Sequence, residues 1–242
     1  MANHHIDSLV RKLNIASALP GDDVELLQSV RITVRNLAPG EDLVRAGQIS
    51  HISAVVLSGM VCRYNMLGTG TRQIMSFHIA GDIPDLQSLF LERMDHTVAA
   101  IGPVTMGLMP HEDLERVFRK SFNLASLMWR ETLIDAAIFR QWIANIGGRP
   151  ALAAMAHLFC ELITRARAVG LVSNGNSYPL ALTQQDIGDA LGLSIVHVNR
   201  TIRKLREMGC IQWEPGLLTA VNWDALCEAG DFDAAYLHTK AG

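Results

Sequence analysis

The sequence predicts an α+β protein in three parts: a strand-rich N-terminal half, a long central helix and a C-terminal winged helix-turn-helix. Three observations carry this. Turn residues interrupt short apolar runs throughout residues 31–110. Apolar residues then recur at steps of three and four from residue 121 onward. Finally, two capped helical stretches joined through a glycine fall within residues 182–206.

The strand-rich part comes first. The run at 31–37 alternates loosely, 54–57 is short, apolar and rich in Val, and 60–64 and 73–79 continue in the same style. Pro39-Gly40, Gly47, Ser58-Gly59, Gly68-Thr69-Gly70 and Gly81-Asp82 separate them. Frequent turns between short strands predict an all-β sandwich or barrel. This part spans residues 1–120.

The central helix is placed at 121–147. Leu124, Leu127, Glu131, Ile134, Ile138, Gln141 and Asn145 share one of its faces. That face mixes apolar and polar residues, which suits a subunit interface; packing on the domain's own core is the alternative. Gly147-Gly148 ends the helix, and Pro150 opens the next at its first turn.

The C-terminal part spans 149–242. Thr183 caps a short helix with Asp186 three residues on. Ile187, Ala190 and Leu191 form its inner face, Gly192 turns the chain, and Ser194 caps a second helix. Val198, Ile202 and Leu205 line that helix inside, leaving Val196, His197, Asn199, Arg200 and Arg203 facing out. These types suit DNA. Arg pairs with guanine N7 and O6, Asn with adenine, and Val with the thymine methyl. Thr183, Gln184 and Ser194 suit phosphate oxygens at helix N-termini. Residues 183–206 are locally basic in a chain of net charge -3. Two short runs flanking Glu214-Pro215-Gly216 add a hairpin, the wing.

The chain as a whole excludes other classes. Its 242 residues are 49% hydrophobic and 19% charged, an ordinary globular mix. No apolar run approaches the ~20 residues of a membrane helix, and residues 1–13 lack a signal-peptide core. Cys62, Cys160, Cys210 and Cys227 contain no Cys-x-x-Cys pair, so a disulfide framework or zinc thiolate site is not expected. The expected location is cytoplasmic. Cys62, Cys160 and Cys210 are read as packing thiols, since the sequence shows neither the exposure nor the lowered pKa of a sensor. His157 and Cys160 are read as core rather than half a metal site, and no metal is expected. Asp82, Asp85, Glu92 and Asp95 are read as a solvated loop. No P-loop, dinucleotide glycine pattern or Gly-x-Ser-x-Gly elbow is present, so no catalytic residue is assigned and an enzyme is not expected.

The stretch from Leu182-Thr183-Gln184-Gln185-Asp186-Ile187-Gly188 to Val198-Asn199-Arg200 resembles the helix-turn-helix of the Crp/Fnr superfamily of bacterial transcription regulators. Pro39-Gly40-Glu41, Arg45-Ala46-Gly47 and Leu57-Ser58-Gly59-Met60-Val61 resemble that family's cyclic-nucleotide-binding β-roll. The resemblance covers nearly the whole chain. It implies a homodimer joined along the central helix and a recognition helix per subunit in successive major grooves of an inverted-repeat operator. RNA polymerase is a candidate further partner. Arg200 matches the family's guanine-reading arginine, while Val196 stands where many members carry glutamate.

The family's ligand-holding elements place a candidate effector pocket at Asp82, Ile83, His96 and Thr97. The family's phosphate-binding arginine is replaced by His96, which argues against cyclic AMP. No cysteine precedes Cys62, which argues against an N-terminal iron–sulfur cluster. The effector is left open as a small molecule or a redox signal. Two alternatives stay in view: a constitutive DNA binder whose β-roll is only a scaffold, and an effector-binding module without DNA function.

Overall fold

The computed structural model describes residues 6–172 and 176–239, and its fold is α+β. The chain divides into two compact units, Met1–Asn65 with Ser76–Leu133, and Met66–Met75 with Ile134–Gly242.

The first unit opens with two helices that the sequence reading leaves out, α1 (Asp7–Asn14) and α2 (Gly21–Gln28). The strands follow: β1 (Thr33–Leu37), β2 (Asp42–Val44), β3 (Ile52–Met66), β4 (Arg72–Ile79) and β5 (Thr97–Pro110), of which Met66 and Arg72–Met75 belong to the second unit. They form one sheet in the order β1-β5-β3-β4, with β2 also on β5. Strand β5, which carries no charged residue, is therefore the one with most neighbours. The two runs expected at 54–57 and 60–64 are a single strand. Its register shifts between Val56 and Ser58 and again before Met60. Gly59 has φ 85°, and a Cβ there would stand 2.5 Å from the Pro103 carbonyl. Glycine thus marks a bulge that kinks a long strand, where the sequence suggested a reversal.

Two apolar clusters hold this unit. Leu37, Ala54, Val56, Val61, Val98 and Met106 pack among the strands. Ile6, Leu9 and Leu13 pack with Leu27, Val55, Leu114, Leu124 and Met128 in the other. Helix α1 is therefore part of the core. Helix α3 (His111–Lys120) follows β5 and leads into α4 (Phe122–Gly148).

The central helix corrects one expectation. Leu124, Leu127, Ile134, Ile138 and Asn145 are buried, so the face expected to meet another subunit packs on the chain itself. Two polar members of that face have partners at home, although the Asn145 Oδ1 atom is buried without one. Glu131 faces Lys12, and Asn145 Nδ2 donates to the Ala154 carbonyl at 3.0 Å.

The second unit holds α5 (Ala151–Ala168), β6 (Ser177–Pro179), α6 (Gln184–Leu191), α7 (Ile195–Glu207), β7 (Ile211–Glu214), β8 (Leu217–Ala220) and α8 (Trp223–Gly230). The wing hairpin β7–β8 gains a third strand in the order β6-β8-β7. Helix α5 is buried along most of its length. It carries Glu161, wholly buried, which accepts from the Trp142 indole N–H, the Tyr236 hydroxyl and Arg165. Burial pushes the Glu161 pKa up, against these donors.

Candidate nucleic-acid interface

The two helices of the motif form for local reasons. Thr183 caps α6 in a complete capping box: its hydroxyl accepts from the Asp186 N–H, and Asp186 accepts from the Thr183 N–H at 2.9 Å. Helix α6 ends at Gly192 in the left-handed region, φ 66°. Ser194 then caps α7 by accepting from the His197 N–H at 3.3 Å. Ile187, Ala190 and Leu191 are buried on α6, and Val198, Thr201, Ile202 and Leu205 on α7.

Burial of that stripe fixes what α7 shows outside. Ser194, Val196, Asn199, Arg200 and Arg203 are exposed and His197 is half-buried. Val196 is 79% exposed, next to Ile195 at 46%. Among the described residues, the side chains of Asn199 and Arg200 make no hydrogen bond or ion pair. Arg203 meets only Glu207, at 3.6 Å, and both are exposed. Such a pair is weak and easily exchanged for a phosphate or a base. Gln184 is exposed at the start of α6, where backbone N–H groups lack partners inside the helix. Thr183 differs from expectation. Its hydroxyl also donates to Asp186 Oδ2 at 2.6 Å, so it is spent in the cap.

The reading also missed a clamp on α6. Arg72 Nε binds Asp189 Oδ2 at 2.7 Å, and its Nη2 binds Asp186 Oδ1 at 2.6 Å. Gln73 donates to the Asp189 carbonyl at 2.8 Å. The hairpin tip thereby neutralises both acidic groups of the motif. Over a hundred positions separate the partners, so no local pattern announces it.

The candidate effector residues look inward. Asp82, His96 and Thr97 are buried and Ile83 is half-buried. Asp82 Oδ1 pairs with Lys12 Nζ at 2.9 Å, and Lys12 also lies 3.6 Å from Glu131. Asp82 Oδ2 accepts from the Ile79 N–H. A Cβ on Gly81 would stand 2.6 Å from the Ser8 carbonyl and 2.9 Å from the Lys12 Cβ, so α1 lies directly on this corner. His96 contacts Gln87 and Asp95, and burial lowers its pKa, followed by repulsion from Arg63. Thr97 accepts from the Ala46 N–H. Asp85, expected in solvent with Asp82, is buried too. Desolvation lifts its carboxyl to about 7, although the Ala54 N–H and Arg63 oppose this. An open cleft of about 540 Å³ lies elsewhere in the unit, beside Leu43, Gln48, His51, Asp85 and Arg93. None of the four candidate residues lines it.

Comparison with known proteins finds both parts. Residues 34–121 match the cyclic nucleotide-binding domain, and residues 153–229 match the Crp-like helix-turn-helix domain. The nitrogen fixation regulation protein FixK of Rhizobium meliloti is 27% identical over 183 residues, 74% of this chain and 77% of that protein. The fumarate and nitrate reduction regulatory protein of Escherichia coli is 23% identical over 94% of this chain and 90% of its own. Among solved structures, FixK2 of Bradyrhizobium japonicum superposes with a TM-score of 0.73 at 22% identity, covering 82% of this chain and 97% of that one.

Proposed function

From the premise that the chain is a DNA-binding transcription regulator of the Crp/Fnr superfamily, with regulators rather than enzymes as its relatives, we propose that it reads an inverted-repeat operator as a homodimer. The observation that carries this is the unspent face of α7. Val196, His197, Asn199, Arg200 and Arg203 face the base edges, with Arg200 on guanine and Val196 on a thymine methyl. Ser194 and Gln184 hold phosphate through helix N-termini. Thr183 contributes by shaping the α6 cap. The regulator works in the cytoplasm with RNA polymerase as its further partner; no helix among the described residues is long and apolar enough to cross a membrane.

The dimer seam we propose is the exposed side of α4. Phe122, Trp129, Leu133 and Ile143 are 87%, 67%, 51% and 73% exposed. With Ser126, Ala136 and Arg140 they follow alternating steps of four and three, the spacing of a coiled-coil seam. Solvent alone is a poor neighbour for four large apolar side chains in line. A second copy of the same helix covers them by symmetry.

Two readings of the first unit remain, and one observation favours the scaffold. Lys12 already occupies the carboxylate corner where an effector was expected, and His96 and Thr97 are engaged within the unit. The test is selection of operators from a randomised duplex pool by purified protein at stated salt. Enrichment of a two-fold symmetric site is expected. Enrichment without any added small molecule supports the scaffold; enrichment only with cell extract supports an effector. An asymmetric site overturns the dimeric docking.

A further inference from the structure

Three of the four cysteines belong to the second unit: Cys160 on α5, Cys210 before β7 and Cys227 on α8. Two of them meet. The Sγ atoms of Cys160 and Cys227 lie 3.8 Å apart, and both thiols are free. The sequence reading passed over Cys227, because 67 residues separate it from its neighbour.

The helices build this contact. A Cβ on Gly230 would stand 2.7 Å from the backbone nitrogen of His157 and 3.0 Å from its Cα. Backbone therefore touches backbone where α8 crosses α5. Cys227 lies three residues before Gly230, and Cys160 three residues after His157. On antiparallel helices that places the cysteine pair about one turn from the closest approach. The crossing is pinned by His157, whose Nδ1 meets the Gly230 carbonyl at 3.2 Å and whose Nε2 meets the Tyr236 hydroxyl at 3.1 Å. A disulfide needs an S–S distance of about 2.05 Å, so the two sulfurs, now 3.8 Å apart, have just under 2 Å to close.

We propose that Cys160 and Cys227 form an oxidisable dithiol, which a hydroperoxide converts into an intrachain disulfide joining α5 to α8. Cys227 is the entry point, being half-buried where Cys160 is fully buried. Its sulfur, giving up its proton, attacks one oxygen of hydrogen peroxide. The O–O bond breaks, leaving a sulfenic acid on Cys227 and one water. The Cys160 sulfur then displaces the hydroxyl group, which leaves as a second water with the Cys160 proton. Two thiols lose two electrons and one peroxide gains them. The Arg167 guanidinium, stacked 3.9 Å over the Trp223 ring, favours the thiolate at both sulfurs. Burial outweighs it and holds both pKa values up, so the resting pair is reduced and responds to sustained oxidant.

The experiment treats the full chain with hydrogen peroxide, alkylates remaining thiols, and maps peptides without reductant. Sulfoxide on exposed Met66 and Met208 reports that the oxidant acted. A peptide pair joining residues 160 and 227, lighter by two hydrogen atoms and reversed by dithiothreitol, is expected. Cys210→Ser keeps the cross-link and Cys227→Ser abolishes it. Cys160→Ala, which exchanges a buried thiol for a methyl group, replaces Cys227→Ser if that variant does not fold. Alkylatable thiols at both positions after methionine oxidation overturn the proposal. So does sulfinic acid on Cys227, or a cross-link to Cys210 or to a second chain.

Discussion

The first unit and helix α7 treat their polar side chains in opposite ways. In the first unit, Asp82, Asp85, His96 and Thr97 are buried, and each is engaged by another group of the same unit. On α7, Asn199 and Arg200 stand in water with no partner among the described residues. Burial explains the first case, because an unpaired polar group in the interior costs about 1–3 kcal/mol and a charge more. Exposure explains the second, because water satisfies a donor until a ligand replaces it. Donors left unspent mark a surface that binds; donors all spent mark a framework.

The largest test of this contrast is Lys12→Met. It leaves the buried Asp82 carboxylate without its lysine, while half-buried Glu131 keeps Arg130 at 3.3 Å. Removing one partner of a buried pair costs about 3–5 kcal/mol, and urea unfolding is expected to show a loss of that size. Operator affinity of the folded fraction should stay the same if the corner is framework. A changed affinity would make the corner part of a signal path. Asp85 comes next. Its folded pKa, about 7, lies above the ordinary 3.8, so the folded state holds the extra proton. Its stabilising contribution is fully present below pH ~4 and is lost as pH rises through about 7. Asp85→Asn removes this titration and still accepts from the Ala54 N–H. Relative to the parent, the variant should gain roughly 2 kcal/mol between pH 5 and pH 7, read from urea midpoints.

On the open side, Arg200→Ala should cost about 1–3 kcal/mol of operator binding and relax preference at one guanine. Anisotropy titration against the selected site and its single-base variants reads both effects. An equal loss on every sequence would reassign Arg200 to phosphate. The smallest effect is Ser194→Ala, which removes the α7 cap for about 1 kcal/mol of stability, measured by thermal unfolding.

How much was legible follows from the distance between partners. The helix-turn-helix is written within some two dozen residues: Thr183 with Asp186, Gly192 at the turn, Ser194 before α7. Every signal there is local, and the outward set on α7 follows from the buried stripe. The central helix was half legible. Periodicity identified the face carrying Leu124 and Asn145, but it cannot say what the face packs against. Lys12 and Ala154, which account for Glu131 and Asn145, lie on other elements. The exposed seam is hard to read from the sequence because Ser126 and Arg140 interrupt its apolar run. In the first unit, the ionic lid on Asp82 comes from a helix seventy positions earlier. A loop of acidic residues reads as solvated unless that helix is known to lie over it.

The strip on α4 has a consequence for how much working protein a cell obtains from a given amount of chain. Under the proposed pairing, each association removes apolar surface from water, worth roughly 25 cal/mol for every Å² covered. Folding and pairing are then linked by mass action, so the unfolding temperature rises with protein concentration. Dilution itself becomes a control: below the dissociation constant of the pair, single copies present one half-site reader each. Loss of DNA binding on dilution would then be steeper than the affinity of either reader alone predicts.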